Sequence, residues 1–251
     1  MIVSYGLSDV GCVRTSNEDR FLMDDQLGLY VVADGMGGHR HGELAAELAI
    51  STTKYYIESS HDRGDVSWPF GYEFALSVDS NRLATAIRLA NHQVWKRAEE
   101  KPETVGMGTT IAAVLSDGAQ AAIGNVGDSR IYRFRSGELE QISTDDTWIN
   151  TLLQRGESAP QFRNHPMRNV LTQAAGSSSE IVVHSFDVEL QKGDLLLLCS
   201  DGLHGVVPEN ELRDHLATGG ALPELATRLI EAARTLGAPD NVTCVLLSLA
   251  D

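Results

Sequence analysis

Three cysteines in the whole chain, Cys12, Cys199 and Cys244, are too few and too far apart for a disulfide framework. No C-x-x-C pair is present either, so a structural zinc site is excluded and a reducing compartment is the expected setting. Cys199 and Cys244 lie in apolar runs and are expected to pack rather than to react. Nothing approaches the run of about 18 apolar residues that a membrane helix needs, and the N-terminus has no signal-peptide pattern. A cytoplasmic chain with no membrane partner is therefore expected. Basic charge is short as well: 20 Lys and Arg stand against 35 Asp and Glu, a net charge of −15. That argues against nucleic acid as a partner, because its phosphates require a basic footprint. Histidine is scarce near the acids and H-E-x-x-H is absent, which speaks against a zinc hydrolase. Linkers, repeats and low-complexity segments are missing too, so 251 residues with 42% hydrophobic content are read as one domain with a sizeable core.

The chain is organised around Leu29-Tyr30-Val31-Val32-Ala33-Asp34-Gly35-Met36-Gly37-Gly38-His39. Five apolar residues predict a strand buried on both faces, and the glycines after Asp34 predict a tight turn. An aspartate at that junction fits either a helix cap or a presented ligand. Further strands are expected at Ile2 to Asp9, Phe21 to Asp24, Val182 to Val188, Leu195 to Cys199 and Val242 to Leu249. Thr109 to Leu115, Gln120 to Val126, Arg130 to Arg135 and Leu139 to Ile142 read as an antiparallel meander. Helical periodicity begins near Gly42 and runs again through Leu83, Ala86, Ile87, Ala90 and Val94 until Pro102. Shorter helices are predicted over Thr144 to Gly156, Pro208 to Ala217 and Pro223 to Leu236. His61 to Val78 has no period and reads as an irregular connection held down by Trp68, Phe70 and Tyr72. Many antiparallel strands with two pairs of helices to cover them make an α+β chain.

Asp34 is one of four aspartates placed where apolar strands meet turns; the others are Asp128, Asp201 and Asp240. Glu18 and Asp19 stand just before the strand at Phe21. Gathered carboxylates repel one another unless a cation lies among them, and an all-oxygen set suits Mg²⁺ or Mn²⁺. Two such ions about 3.5–4 Å apart share a water, lower its pKa and clamp a phosphoryl group. Arg14 has the planar fork that matches a phosphate. On spacing alone, turn aspartates capping their own backbones account for the pattern equally well.

Six stretches in order carry a resemblance: Arg14-Thr15-Ser16-Asn17-Glu18-Asp19, Ala33 to His39, Gly106-Met107-Gly108-Thr109-Thr110, Gly127-Asp128-Ser129-Arg130, Cys199-Ser200-Asp201-Gly202-Leu203 and Pro239-Asp240-Asn241-Val242-Thr243. From about Tyr5 to Leu249 the chain resembles the protein phosphatase 2C-like family, the metal-dependent (PPM) protein Ser/Thr phosphatases in their compact bacterial form. The resemblance implies an αββα sandwich of two antiparallel sheets flanked by helix pairs. It implies a centre of two Mn²⁺ or Mg²⁺ ions and, in bacterial members, often a third. By match, Asp34 bridges both ions, the Gly35 carbonyl binds one, and Asp201 and Asp240 hold the other. Glu18 and Asp19 supply oxygens directly or through water, and Asp128 with Asp201 holds the third ion. Arg14 binds the substrate phosphate, a metal-bridging hydroxide attacks phosphorus directly, and His39 either protonates the leaving oxygen or caps a helix. The implied partners are Ser/Thr-phosphorylated proteins and a cognate kinase, met by a monomer.

The chain departs from that pattern at Arg40-His41, in the flap between Thr144 and His165 where Glu157 to Arg163 follows no familiar course, at Gln173 where arginine is common, and in the connection from His61 to Val78. Gln173 is expected to weaken substrate docking. None of these departures removes a metal ligand, so they bear on specificity. Two other functions compete: a catalytically silent domain of the same fold that binds a phosphoprotein or regulatory partner, and a different two-metal phosphoesterase such as a nuclease. The first requires a missing carboxylate and the second a basic groove, and this chain has neither feature.

Overall fold

The computed structural model describes residues 2–37, 41–61, 67–157 and 165–249. Strands β1 (Ile2–Asp9), β2 (Arg20–Asp24), β3 (Leu29–Ala33) and the two-residue β4 (Gly35–Met36) precede the long helices α1 (His41–His61) and α2 (Val78–Glu100). Then come β5 (Gly108–Thr109), β6 (Ile111–Ser116), β7 (Gln120–Val126), β8 (Arg130–Arg135), β9 (Glu138–Gln141) and helix α3 (Trp148–Gln154). The last part holds β10 (His184–Glu189), β11 (Leu195–Cys199), the one-turn α4 (Asp201–His204), α5 (Glu209–Ala217), α6 (Leu222–Thr235) and β12 (Val242–Leu249).

Alternate side chains of the apolar strands enter different cores, as a period of two requires. Leu29, Val31 and Ala33 of β3 pack with Ala45, Ala49, Ile87 and Val94 beneath α1 and α2. Tyr30 and Val32 turn the other way and meet Leu196, Leu198 and Val245. Leu195, Leu197 and Cys199 of β11 pack against Leu212, Leu225 and Leu229 of α5 and α6. Three apolar layers thus separate four structural ones: helices, sheet, sheet, helices. One sheet has the order β1-β12-β11-β8-β9 and the other β10-β7-β6-β3-β2, with antiparallel neighbours throughout. This is the expected αββα sandwich. The packing reading of Cys199 and Cys244 holds as well, since both are fully buried.

Several expectations need correction. The predicted meander is two hairpins in different sheets: β6 pairs with β7, β8 pairs with β9, and the chain changes sheets through Gly127-Asp128-Ser129. Gly127 makes that corner at φ +93°, where a side chain is strained. The helix predicted from Thr144 begins only at Trp148, because the Thr147 side chain caps it by accepting from Asn150 N–H. Pro208 stands just before α5, at its N-cap position and without a capping side-chain hydrogen bond, rather than in its first turn. The β4–β5 ribbon and α4 were not foreseen; two to four residues carry no readable period.

In the connection before α2, Trp68, Tyr72 and Phe74 stack edge to face, with centroids 5.1 and 5.3 Å apart. Phe70 and Phe74 remain 45% and 92% exposed, so the aromatics brace one another more than they anchor the segment. The firm anchor is polar. Ser77 donates N–H and Oγ to Asp187 of β10 while its Oγ caps α2 by accepting from Ser80 N–H. Residues His39 and Arg40, positions 62–66 of the connection before α2 and positions 158–164 of the flap lie outside the described residues.

Candidate active site

Asp34 leaves the end of β3 with its backbone pinned on both sides. Its N–H donates to Thr110 Oγ1 at 2.9 Å, and its carbonyl accepts from Thr110 N–H and Thr109 Oγ1, both at 2.9 Å. The β4–β5 ribbon continues the clamp, pairing Gly35 with Thr109 and Met36 with Gly108. This gives the Gly106-Met107-Gly108-Thr109-Thr110 stretch a physical role: it fixes the turn that presents Asp34. Gly35 is required for close approach rather than only for an available carbonyl. A Cβ there would stand 2.1 Å from the Gly42 carbonyl oxygen at the start of α1 and 2.7 Å from that of Glu18.

The other carboxylates arrive from separate places. Asp128 sits on the corner between the two sheets, Asp201 opens α4 directly after β11, and Asp240 lies just before β12. Asn241 binds the Glu18 segment beside them: its Oδ1 accepts Glu18 N–H at 2.9 Å, and its Nδ2 donates to the carbonyls of Val10 and Ser16 at 3.0 and 2.8 Å. Together Arg14, Glu18, Asp34, Gly35, Asp128, Asp201 and Asp240 line one cavity of about 310 Å³. Leu171 and Asn169, from the limb returning after the flap, complete its wall, a contribution that nothing in the sequence signalled. Arg14 stands at the edge with Nη2 2.6 Å from Asp240 Oδ2.

Asp19 is the exception, since it lies beneath the cavity rather than on its wall. Its Oδ2 accepts from Ser200 Oγ at 2.8 Å and Thr243 Oγ1 at 2.6 Å, while its Oδ1 is buried with no hydrogen-bond partner. Ser200 and Thr243 fell inside the quoted stretches, but their part in holding Asp19 was not foreseen. Gln173 does not line the cavity. Its amide instead donates to Asp146 Oδ2 and to the Val182 carbonyl, at 2.8 and 2.7 Å.

The electrostatics are those of like charges crowded together. Asp34, enclosed by the fold yet open to the cavity, is pushed well up by burial and then by Asp19, Asp201, Asp128 and Asp240. Burial raises Asp128 to about 7 and Asp19 to about 6, with Asp201 adding to both, and it raises Asp201 and Glu18 too. Asp201 stands among the neighbours that raise Asp34, so the two carboxyls are not favoured to ionise together. Among the described residues, no group of three or more His, Cys, Asp and Glu side chains stands ready-placed to hold a metal ion. The donor set fits hard divalent cations: all oxygen, several carboxylates held above their usual pKa by burial and then by their neighbours, and one buried carboxylate oxygen without a partner.

Comparison with known proteins shows the family and bears out the fold. Residues 13–246 match the sequence profile of the family Protein phosphatase 2C. The chain is 36% identical over 248 residues to the serine/threonine phosphatase stp of Listeria welshimeri, covering 96% of this chain and 93% of that one. It overlays the crystal structure of the Mycobacterium tuberculosis serine/threonine phosphatase PstP/Ppp with a TM-score of 0.84 at 35% identity, over 100% of this chain and 99% of the other. The catalytic domain of PstP in complex with two manganese ions gives a TM-score of 0.82 at 34% identity, with 100% and 99% covered.

Proposed function

The chain belongs to the protein phosphatase 2C family, is a metal-dependent protein serine/threonine phosphatase using Mn²⁺ or Mg²⁺, and on that premise we propose how its own residues perform the hydrolysis. One observation carries the assignment of roles: five carboxylates delivered by separate segments, Glu18, Asp34, Asp128, Asp201 and Asp240, meet in one cavity with an arginine at its edge. Asp34, Gly35 through its carbonyl, Glu18, Asp201 and Asp240 would hold two ions, Asp19 supports them from beneath, and Asp128 with Asp201 would hold a third. Bound there, the ions neutralise the carboxylates, lower the pKa of the attacking water and polarise the phosphoryl oxygens.

Arg14 binds and orients the phosphoryl group of phosphoserine or phosphothreonine, its fork facing two oxygens at once. Doing so loosens its hold on Asp240, so substrate binding and the freeing of a metal ligand are linked. The threonine clamp on Asp34 keeps that carboxylate from following the substrate as charge develops. Leu171 and Asn169 border the path by which a peptide enters. Proton donation to the departing seryl or threonyl oxygen is assigned to His39. Residues 1–251 act as one phosphatase domain in the cytoplasm, as a monomer, on proteins phosphorylated by a cognate Ser/Thr kinase. The complete carboxylate set disfavours a silent binding domain, and the net charge of −15 disfavours a nuclease.

The test is hydrolysis of a phosphothreonine peptide by purified protein with Mn²⁺, with EDTA and with Asp34→Ala as the controls. Mn²⁺-dependent release of phosphate that both controls abolish supports the reading. Equal turnover in EDTA, or in Asp34→Ala, overturns it.

A further inference from the structure

Behind the cavity wall, the Asp146 carboxylate draws together three segments distant in sequence. Its Oδ2 accepts from Gly127 N–H at 2.9 Å and from Gln173 Nε2 at 2.8 Å, and its Oδ1 pairs with His184 Nε2 at 2.8 Å. The backbone of the same residue adds two bonds: its N–H donates to the Gly127 carbonyl at 2.9 Å, and its own carbonyl accepts Thr172 N–H at 2.8 Å. Asp146 is 8% exposed, so these bonds form away from bulk water. The adjacent Asp145 faces a different anchor, gripped by Arg130 through Nε and Nη2 at 3.0 and 2.8 Å and by Gln141 at 2.7 Å.

The three segments are not arbitrary. Gly127 precedes Asp128 on the corner between the sheets. Gln173 ends the limb that brings Asn169 and Leu171 to the cavity wall. His184 is the first residue of β10, the edge strand of its sheet. We propose that Asp146 is a positioning residue which locks the Asp128 corner to the base of the flap, so that an ion ligand and the wall facing the substrate are set together. The proposal rests on the reading of Asp128 as a metal ligand in a phosphatase. A carboxylate needed only to hold a turn would be satisfied by Gly127; this one also takes donors from Gln173 and His184. Gln173 extends the lock, because its Oε1 accepts Val182 N–H at 3.0 Å while its Nε2 donates to the Val182 carbonyl. His184 adds charge to geometry, its imidazole raised from the ordinary range by the bond to Asp146.

Hydrogen exchange on the ion-free protein, read over residues 126–130 and 168–173, tests the coupling directly. Asp146→Asn presents one acceptor oxygen instead of two. It is expected to speed exchange about tenfold in both segments together, as the loss of one buried charge-assisted bond implies. The same variant is expected to need several-fold more Mn²⁺ for half-maximal hydrolysis of a phosphothreonine peptide. His184→Gln keeps a donor and should behave as the parent, whereas His184→Ala should resemble Asp146→Asn. Should Asp146→Asn fail to fold, Gln173→Ala and His184→Ala each remove one donor and carry the same measurements. Faster exchange in only one segment, or unchanged Mn²⁺ dependence alongside faster exchange in both, overturns the proposal. A parent protein without Mn²⁺-dependent hydrolysis would instead overturn the phosphatase reading, and exchange would still decide whether the two segments are locked together.

Discussion

Arg14 and Asp240 are each other's partner, Nη2 to Oδ2 at 2.6 Å, although one is assigned to substrate phosphate and the other to a metal ion. Both side chains are partly open to solvent, so the pair adds little to stability and is readily exchanged for other contacts. Arg14→Ala is therefore expected to leave the melting temperature nearly unchanged and to raise KM for a phosphopeptide by about tenfold or more, with kcat within a few-fold. Steady-state kinetics over a range of peptide concentrations decide this. A loss confined to kcat would contradict the assignment.

Asp34→Ala and Asp201→Ala should each cost about 10³-fold or more in turnover, because the ions that activate water lose a shared ligand. Stability should move the other way. Ionised Asp34 is disfavoured by burial and by its carboxylate neighbours, so Asp34→Asn removes a destabilising charge while keeping a group that can hydrogen-bond. In EDTA, the melting temperature of Asp34→Asn is expected to exceed that of the parent. A lower value would mean that the repulsion is not borne by the fold.

His184 supplies a pH dependence of known sign. Its pKa is raised above the usual 6.5 by the hydrogen bond to Asp146, so folding binds its proton more tightly than the unfolded chain does. The stabilisation is fully present below about pH 6.5 and fades as pH rises through the higher folded value. Urea titrations across that range should find the difference in stability between the parent and His184→Ala shrinking with rising pH. A difference that grows with pH would contradict the sign.

Gly35→Ala tests the close approach at the cavity floor. The added methyl would meet backbone at 2.1 Å, which no side-chain movement can relieve. A loss of about 1–3 kcal/mol in denaturant unfolding is expected, together with weakened Mn²⁺ binding, since the turn that presents Asp34 must shift. Normal stability in this variant would show that the turn relaxes freely.

Thiol chemistry offers a check on the core. Cys199 and Cys244 are buried, and burial pushes both thiols up, Cys244 to about 12, whereas Cys12 is exposed. A disulfide reagent added to native protein should titrate one thiol rapidly and the other two only on unfolding.

Periodicity reports how a strand is buried and not which strand it meets. Leu29 to Ala33 and Leu195 to Cys199 were readable as two-faced strands because every residue is apolar. The four strands around Gly127-Asp128-Ser129 read as one meander, since a turn within one sheet and a passage between two use the same residues. The carboxylates that line the cavity were legible because each follows or precedes a strong apolar run. Asp146 was visible only as part of a flap motif; its partners at positions 127, 173 and 184 come together through the fold, and no local pattern announces them. Ser200 and Thr243 were hidden in the same way, each looking like an ordinary turn or strand hydroxyl until Asp19 is placed between them.

Asp34 extends from one sheet, Asp201 and Asp240 flank strands of the other, and Asp128 rides the corner that joins them. The spacing between these carboxylates is therefore a measure of how the two sheets are seated on each other. Val32, Ile123, Leu198 and Val245 fill the layer that sets this seating, and none of them lines the cavity. Changing their volume by a methylene would act as a fine adjustment on metal affinity, made from inside the sandwich and invisible at its surface.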